Sequence, residues 1–505
     1  MLLLPQQSSP PRGRLTRLPT FTGNDTTYRP KARPRGTSVA LTKQKIGADY
    51  DEALRVIAPM FGLREMASPI PRFELADSDM PADAAYQLIH DELQLDGTPV
   101  LNLASFVTTW MEPQADKLCI EVAGKNFIDQ EEYPATNKIE QRCISIIADL
   151  FHATAEGERA IGTSTIGSSE AIHLCGLAMK RNWINRQAAK GADTSRPNLV
   201  MSAAVHVTWE KFCRYFDVEC RERPLAEGRY VIDPEDAMAA CDENTIGVVG
   251  ILGTTYTGHF EPIKDLNDAL VALNDRTGWQ IALHVDAASG GFVAPFAYPD
   301  LEWDFRLPSV RSINVSGHKY GLVYPGVGWA IWREAGDLPQ ELIFHDSYLG
   351  NDQSTFDLNF SKPSASIIGQ YYNFVRLGRA GYTAVMSNLL ETYGFLDETV
   401  HSRGRCEVLS ESGNLPVLCV RLTPDLQASA HDVAHHLRQR GWIVPAYSMP
   451  PAVEDMTVLR CVVREGFSRD LGDQLLEALN DVIRELEKNP PARPKPRRRS
   501  KQRVC

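Results

Sequence analysis

Short apolar strands alternate with helix-length segments through the middle of this 505-residue chain, and this alternation constrains the fold more than any other feature. The five candidate strands are Leu199–Ala204, Ile246–Gly253, Ile281–Val285, Ser312–Val315 and Gly328–Trp332. The candidate helices between them include Ser169–Trp183 and Pro262–Leu273. Such alternation predicts an α/β fold whose mostly parallel sheet is covered on both faces, with the ligand at the carboxyl ends of the strands.

The chain is too long for one simple core, so we expect a large domain and smaller additions. Residues 38–100 read as a helical segment in which Ala82–Leu93 is the clearest helix, and residues 101–400 form the predicted large domain. A long helical stretch near 364–402 leads out of it. Residues 401–489 are predicted to form a small α+β domain, from the following strands and helices: Val417–Leu422, Ala430–Arg440, Val458–Val463 and Leu471–Glu487.

Both ends of the sequence are basic and rich in proline. Residues 1–37 carry seven Lys or Arg and one acidic residue, and residues 490–505 carry seven Lys or Arg and no acidic residue. The two ends thus contribute +6 and +7, so a net charge of −11 leaves −24 on the rest of the chain. We expect solvated, disordered tails, with contact to an acidic partner, nucleic acid or a membrane surface as the alternatives. The basic run Arg497–Arg499 has no interleaved aromatic residue, which argues against nucleic acid.

The cysteines and the hydropathy pattern bear on location. No run approaches the roughly 20 apolar residues that span a bilayer, so no membrane association is expected. The ten cysteines contain no C-x-x-C pair, which indicates neither a zinc cluster nor a disulfide framework. A cytoplasmic location follows as an expectation.

The segment Ser312–Gly321 ends an apolar strand in Ser316-Gly317 and then presents His318 and Lys319. A lysine forms an imine with a carbonyl only through its neutral amine, which burial and nearby cations make available by lowering its pKa. The hydroxyl of Ser316 and the imidazole of His318 are suited to an anion such as a cofactor phosphate. The alternative is a surface lysine that follows a strand.

Two further motifs suit the same cofactor. In Gly162–Glu170 the glycines admit an anion close to the backbone, and Ser168 or Ser169 opens a helix whose amino terminus favours phosphate; a simple helix cap is the alternative. Asp286 follows a buried strand and would pair with a protonated pyridine nitrogen. Metal ligation with His284 and a structural salt bridge are the alternatives for Asp286. Together the motifs match the phosphate, ring nitrogen and aldehyde of pyridoxal phosphate.

From about Leu101 to Glu487 the chain resembles the glutamate decarboxylases, group II pyridoxal-phosphate decarboxylases of fold type I, the aspartate aminotransferase-like fold. The resemblance is carried by long local matches at 129–134, 167–171, 253–258, 284–291, 316–321 and 376–379. It implies decarboxylation of L-glutamate to 4-aminobutyrate and carbon dioxide. It also implies that Lys319 is the Schiff-base lysine and that Asp286 is the partner of the pyridine nitrogen.

The resemblance assigns further residues by role. The implied cofactor contacts are Ser168, Ser169, Thr255, Ser316, His318 and Ser361. The implied substrate-binding residues are Ser105, Phe106, Asn126, Asp129 and Arg464. His206 stands against the cofactor ring where close relatives usually have glutamine, and Tyr348 lies in a candidate flap that excludes water and places a proton donor.

Assembly and regulation follow from the same resemblance. Ser361, Asn126 and Asp129 match positions supplied across a dimer interface, so a homodimer, a dimer of dimers or a trimer of dimers is expected. The carboxyl-terminal tail has no tryptophan-bearing basic helix of the kind that binds calmodulin in plant relatives, so calmodulin is not expected.

Two rival functions remain at this point. One is the same scaffold acting as a decarboxylase or a carbon–carbon lyase on another amino acid or amine, since Ser105 and His206 depart from the usual pattern. The other is a catalytically silent scaffold whose basic tails bind an acidic partner.

Overall fold

A computed structural model describes residues 72–153, 160–346 and 353–491. The chain separates into two units, residues 1–93 and 94–505. The described part of the first unit contains one helix, α1 (Ala82–Leu93), with the predicted bounds. Both basic tails, apart from residues 490 and 491, and the predicted helical residues 38–71 lie outside the described residues.

The second unit is built on a seven-stranded sheet in the order β1-β7-β6-β5-β4-β2-β3. Its strands are β1 (Ile161–Thr165), β2 (Asn198–Ser202), β3 (Glu219–Arg223), β4 (Thr245–Ile251), β5 (Ala282–Asp286), β6 (Val310–Ser316) and β7 (Gly328–Trp332). Only β7 runs against the others, since it pairs antiparallel with both β6 and β1. The predicted, mostly parallel sheet is therefore confirmed.

Every residue of β2, β4 and β7 is buried, as expected for a sheet with both faces covered. The helices that precede, connect or flank the strands are α2 (Pro113–Val122), α3 (Pro134–Leu150), α4 (Ser168–Ala189), α5 (Val207–Tyr215), α6 (Pro234–Ala239), α7 (Ile263–Thr277) and α8 (Ala294–Ala297). Local sequence explains several ends. Asp233 caps α6 ahead of Pro234, and α7 ends at Gly278 with a left-handed φ of 71°.

A long helix, α9 (Ala365–Arg403), leaves the large domain and breaks at Gly378, which has a φ of 56°. Before it, β8 (Phe344–Asp346) pairs antiparallel with β9 (Gln353–Thr355). After it comes a four-stranded antiparallel sheet in the order β10-β11-β13-β12, with two helices. These elements are β10 (Cys406–Val408), β11 (Val417–Leu422), α10 (Ala430–Gln439), β12 (Ala446–Ser448), β13 (Thr457–Val462) and α11 (Arg469–Lys488).

One continuous apolar cluster contains buried residues from both sheets, such as Val285 and Val315 of the large sheet and Val417 and Val462 of the small one. The irregular segment 99–109, which begins with a 3-10 helix at Pro99–Leu101, also joins them. The amide of Val462 donates to the carbonyl of Leu103, and the amide of Thr108 donates to the carbonyl of His318. The small domain is therefore held against the carboxyl ends of the large sheet.

Candidate active site

Lys319 follows the carboxyl end of β6 and lies largely buried. Its Nζ donates to Ser289 Oγ at 3.1 Å and lies 5.3 Å from the ring centroid of Phe106. Burial lowers the pKa of Lys319 from the ordinary 10.5 to about 8; Asp286 raises this pKa and Arg460 lowers it. At pH 7 roughly a tenth of the amine is therefore neutral, which is the form that imine formation requires.

Asp286 ends β5 and is 5% exposed. Three N–H groups donate to its carboxylate: Trp209 Nε1 at 2.9 Å, Asn314 Nδ2 at 3.0 Å and the amide of Ala288 at 3.1 Å. Three donors stabilise the negative charge of a buried carboxylate, which remains able to accept a hydrogen bond from a protonated ring nitrogen.

Behind Asp286 lies a buried hydrogen-bonded chain through Asn314, His284 and Ser312. Because Asn314 Nδ2 faces the carboxylate, its Oδ1 accepts from His284 Nε2 at 2.8 Å, and Ser312 Oγ then donates to His284 Nδ1 at 2.7 Å. Burial lowers the pKa of His284 to about 4, so the ring is neutral. Both ring nitrogens are occupied, which argues against the metal alternative, and the described residues contain no metal-binding group of three or more ligands.

The carboxyl end of β1 leads into the amino terminus of α4 and forms an anion cup. Ser316 Oγ donates to Ser168 Oγ at 2.7 Å. A Cβ on Gly328 would lie 2.5 Å from the carbonyl carbon of Gly167 and 2.7 Å from the amide nitrogen of Ser168, so only glycine at 328 allows this close approach. His318 faces the same cavity, and burial lowers its pKa to about 4.

This cavity has a volume of about 460 Å³, and its lining includes Lys319, Asp286, Ser168, Ser169, Thr255 and His206. His206 caps α5 by accepting the amide hydrogen of Thr208 on Nδ1. Burial and then the charge of Lys319 lower the pKa of His206. The structure therefore brings together the predicted lysine, aspartate, threonine and histidines and three of the four predicted phosphate serines, whereas Ser361 does not line this space.

Arg460, on β13, is the arginine that the sequence reasoning missed. It is 3% exposed, and its guanidinium carbon lies 5.0 Å from the ring centroid of Phe106, the ring that Lys319 also faces. Its Nη atoms donate to the carbonyls of Thr255 and Ala104. A charged residue inside an otherwise apolar strand was the available signal, because buried arginines require partners.

Arg464, the predicted substrate arginine, has a different environment. It is 2% exposed, and its two Nη atoms have four oxygen acceptors in segment 99–109. Those acceptors are the carbonyls of Pro99, Asn102 and Val107 and the hydroxyl of Thr109. Arg464 therefore uses its Nη hydrogens to hold this segment on the small domain.

The remaining predicted substrate residues separate into two places. Phe106 faces Lys319, and Ser105 beside it accepts the amide hydrogen of Val107 at 3.1 Å. Asn126, in contrast, contacts Asp129 at 3.3 Å and Ser361 at 3.4 Å, away from the lining of the Lys319 cavity.

Tyr348 and the candidate flap around it lie outside the described residues. Across the described ranges, no helix is long and apolar enough to cross a membrane.

The chain is similar to known proteins in sequence and in fold. Residues 77–423 match the family model of the pyridoxal-dependent decarboxylase conserved domain. The chain is 53% identical to a glutamate decarboxylase of Petunia hybrida over 85% of this chain and 86% of the relative. It is 45% identical to one from Lactococcus lactis, over 88% of this chain and 96% of the relative. The solved glutamate decarboxylase of Lactobacillus brevis superposes with a TM-score of 0.84 at 41% identity, covering 86% of this chain and all of that one.

Proposed function

The chain belongs to the pyridoxal-dependent decarboxylase family, and we infer from this that it decarboxylates L-glutamate to 4-aminobutyrate and carbon dioxide with pyridoxal phosphate. The observation that carries the function is the identity of 45–53% to glutamate decarboxylases over most of the chain. The predictions of fold type I, of an enzyme and of this cofactor are confirmed. A purely scaffolding role has no support.

The described residues fit the cofactor. The hydroxyls of Ser168 and Ser316, together with the amino terminus of α4, suit the phosphate, since Gly328 leaves the backbone of the cup accessible. Asp286 suits the protonated ring nitrogen, and Lys319 suits the aldehyde carbon. When bound, pyridoxal phosphate supplies an electron sink for the pair of electrons that a departing carboxylate leaves behind.

Several residues of the chain have distinct tasks in that chemistry. Lys319 would hold the aldehyde carbon of the cofactor through its neutral amine and would be a base near the reacting carbon. Asp286 would hold the ring nitrogen, and three N–H donors orient its carboxylate for this contact. His206 is a neutral imidazole whose Nδ1 is occupied by Thr208, which leaves Nε2 for the ring or the substrate.

Arg460 is proposed as the residue that binds a substrate carboxylate. Its buried guanidinium lies beside the ring of Phe106, which Lys319 also faces, and its charge acts on the pKa of Lys319. A guanidinium donates to a carboxylate through paired N–H groups, and the low polarity around it strengthens the ion pair.

A second copy of the chain is proposed to complete the site. Asn126, Asp129 and Ser361 form one cluster, in which the amide of Phe127 also donates to the carbonyl of Lys362 at 2.9 Å. None of the three lines the Lys319 cavity of its own chain, but neither do Phe106 and Arg460, so the assignment to a partner subunit also rests on the resemblance. Their common position supports the proposal that this cluster serves the cavity of a homodimer partner, with dimers of dimers or trimers of dimers as further assemblies.

A cytoplasmic location is proposed from the cysteines. All nine cysteines within the described ranges are free thiols, and most are buried. Unpaired thiols in this number suit a reducing compartment.

The test is to incubate the purified chain and pyridoxal phosphate with each standard amino acid at mildly acidic and neutral pH, and to identify the product. We expect glutamate to be consumed with equimolar 4-aminobutyrate and carbon dioxide. Consumption of another amino acid in place of glutamate would refute the substrate assignment, and release of ammonia or keto acid as the main product would refute decarboxylation. Mixing Lys319→Ala chains with Asn126→Ala chains tests the shared site, since a mixed dimer should regain activity that neither variant has alone.

A further inference from the structure

A second cavity, of about 510 Å³, lies at the edge of the large sheet opposite Lys319. It is lined by residues at the amino-terminal ends of three parallel strands, namely Ile246, Ala282 and Arg311, and by residues of α4 and α7. The Lys319 cavity lies at the carboxyl ends of the same strands. The volume is within the range of about 300–1,000 Å³ that small-ligand sites occupy.

Two N–H donors at this cavity lack a protein acceptor. Trp332 is 1% exposed, and its Nε1 has no hydrogen-bond partner among the described residues. The same holds for the buried Nη2 of Arg186. Both side chains line the cavity. Since buried N–H groups are nearly always paired with protein or with ordered water, these two require an acceptor, water or a ligand, from outside the described chain.

The charges around the cavity favour an anionic acceptor. Arg311 is neutralised by Asp337, at 2.7 Å, and by Glu334. Arg186 has no ion pair within the described ranges, and burial followed by the charge of Arg311 lowers its pKa. Asp275, the remaining charged residue of the lining, is exposed and therefore screened by solvent. An uncompensated guanidinium thus remains in a recessed, partly apolar space.

We propose that this cavity binds a small oxyanion of the carboxylate or sulfate class, held by Arg186 and Trp332. A bound anion would affect the cofactor site through Ser312. This residue lines the cavity and donates to His284 at 2.7 Å, and the hydrogen bonds continue from His284 through Asn314 to Asp286. An anion in the cavity is a second acceptor for the Ser312 hydroxyl hydrogen, and it competes with His284 for it.

The test uses the cofactor-loaded full chain and sodium sulfate, because cofactor phosphate then occupies the cup near Lys319 and sulfate is not drawn there. Isothermal titration calorimetry, with sodium chloride at equal ionic strength as the reference, should show one saturable sulfate site per chain. We expect Arg186→Gln to weaken sulfate at least tenfold. Arg181→Gln is the matched control, because Arg181 is on the same helix but pairs at the surface with Glu341.

Trp332→Phe keeps the buried ring and removes one donor, so it should also weaken sulfate binding. This variant provides the test if Arg186→Gln does not fold. Absence of saturable binding, or equal binding by wild type, Arg186→Gln and Trp332→Phe, would overturn the site. In the wild type, sulfate should move the pH midpoint of the visible absorption of the bound cofactor, whereas Ser312→Ala should bind sulfate without that shift. If sulfate leaves the pH midpoint of the cofactor absorption unchanged in the wild type, the proposed connection to Asp286 is wrong.

Discussion

Replacing Arg460 with glutamine is predicted to raise the pKa of Lys319 in the cofactor-free chain. Arg460 lowers this pKa, and burial lowers it further, to about 8. Glutamine removes the charge and keeps N–H donors for the neighbouring carbonyls of Thr255 and Ala104. The charged form of Lys319 then loses a repulsive neighbour, so the amine holds its proton to higher pH.

The magnitude follows from the shared ring of Phe106. Lys319 Nζ and Arg460 Cζ lie 5.3 Å and 5.0 Å from its centroid, so at most about 10.3 Å separates them. At an effective dielectric constant of about 20, two unit charges at that distance repel by about 1.6 kcal/mol. This corresponds to about one pKa unit. At pH 7 the neutral fraction of Lys319 should therefore fall about tenfold, from roughly 9% to roughly 1%.

The assay is pulse labelling of the cofactor-free chain with an amine-selective reagent between pH 6 and 11, followed by mass spectrometry of the peptide that contains Lys319. The wild type should show a labelling midpoint near pH 8, and Arg460→Gln a midpoint near pH 9. Asp286→Asn should move the midpoint downward, because Asp286 raises this pKa. Arg464→Gln, which removes the same charge four residues away, is the matched control and should leave the midpoint unchanged. An unmoved midpoint in Arg460→Gln, or an equal movement in Arg464→Gln, would refute the reasoning.

Three further variants test the site. Lys319→Ala should abolish glutamate decarboxylation and the visible absorption of the bound cofactor, and substantial turnover would contradict its role. Asn314→Ala removes a donor from buried Asp286, which should weaken cofactor binding by about 1–3 kcal/mol in fluorescence titration; unchanged affinity would contradict this role. Gly328→Ala places a Cβ against the backbone of the cup and should cost about 1–3 kcal/mol of stability in urea denaturation. Gly336→Ala is the control, because its Cβ meets nothing within 4 Å, and equal costs for the two variants would refute the packing argument.

The sequence predicted the sheet well because buried parallel strands are continuous apolar runs. Gly328–Trp332 has the predicted bounds, and Ser312–Val315 lies within the observed β6. The antiparallel direction of β7 was not predicted, although residues 317–327 contain no helix and are a short connection for a parallel crossover. Strand β1 was missed because its sequence, Ile161-Gly162-Thr163-Ser164-Thr165, is polar and contains glycine, and only pairing with β7 identifies it as a strand.

Lys319, Asp286 and Ser168 could be proposed as cofactor residues because each lies at the end of a strand or the start of a helix. The arginine near Lys319 was not predictable in this way. Arg460 and Arg464 are four residues apart, and which of them lies near Lys319 depends on how β13 and the residues after it pack against segment 99–109. That packing is tertiary information, because the acceptors of Arg464 lie more than 350 positions away in the chain.

Burial disfavours the charged form of any ionisable group, and the two groups on which the chemistry depends differ in their hydrogen-bond partners. Lys319 has one hydroxyl neighbour for its amine, Ser289, and burial lowers its pKa to about 8. Asp286 is 5% exposed, and three N–H groups donate to its carboxylate. Removing donors from Asp286 should impair the site even though every atom that contacts the substrate remains in place.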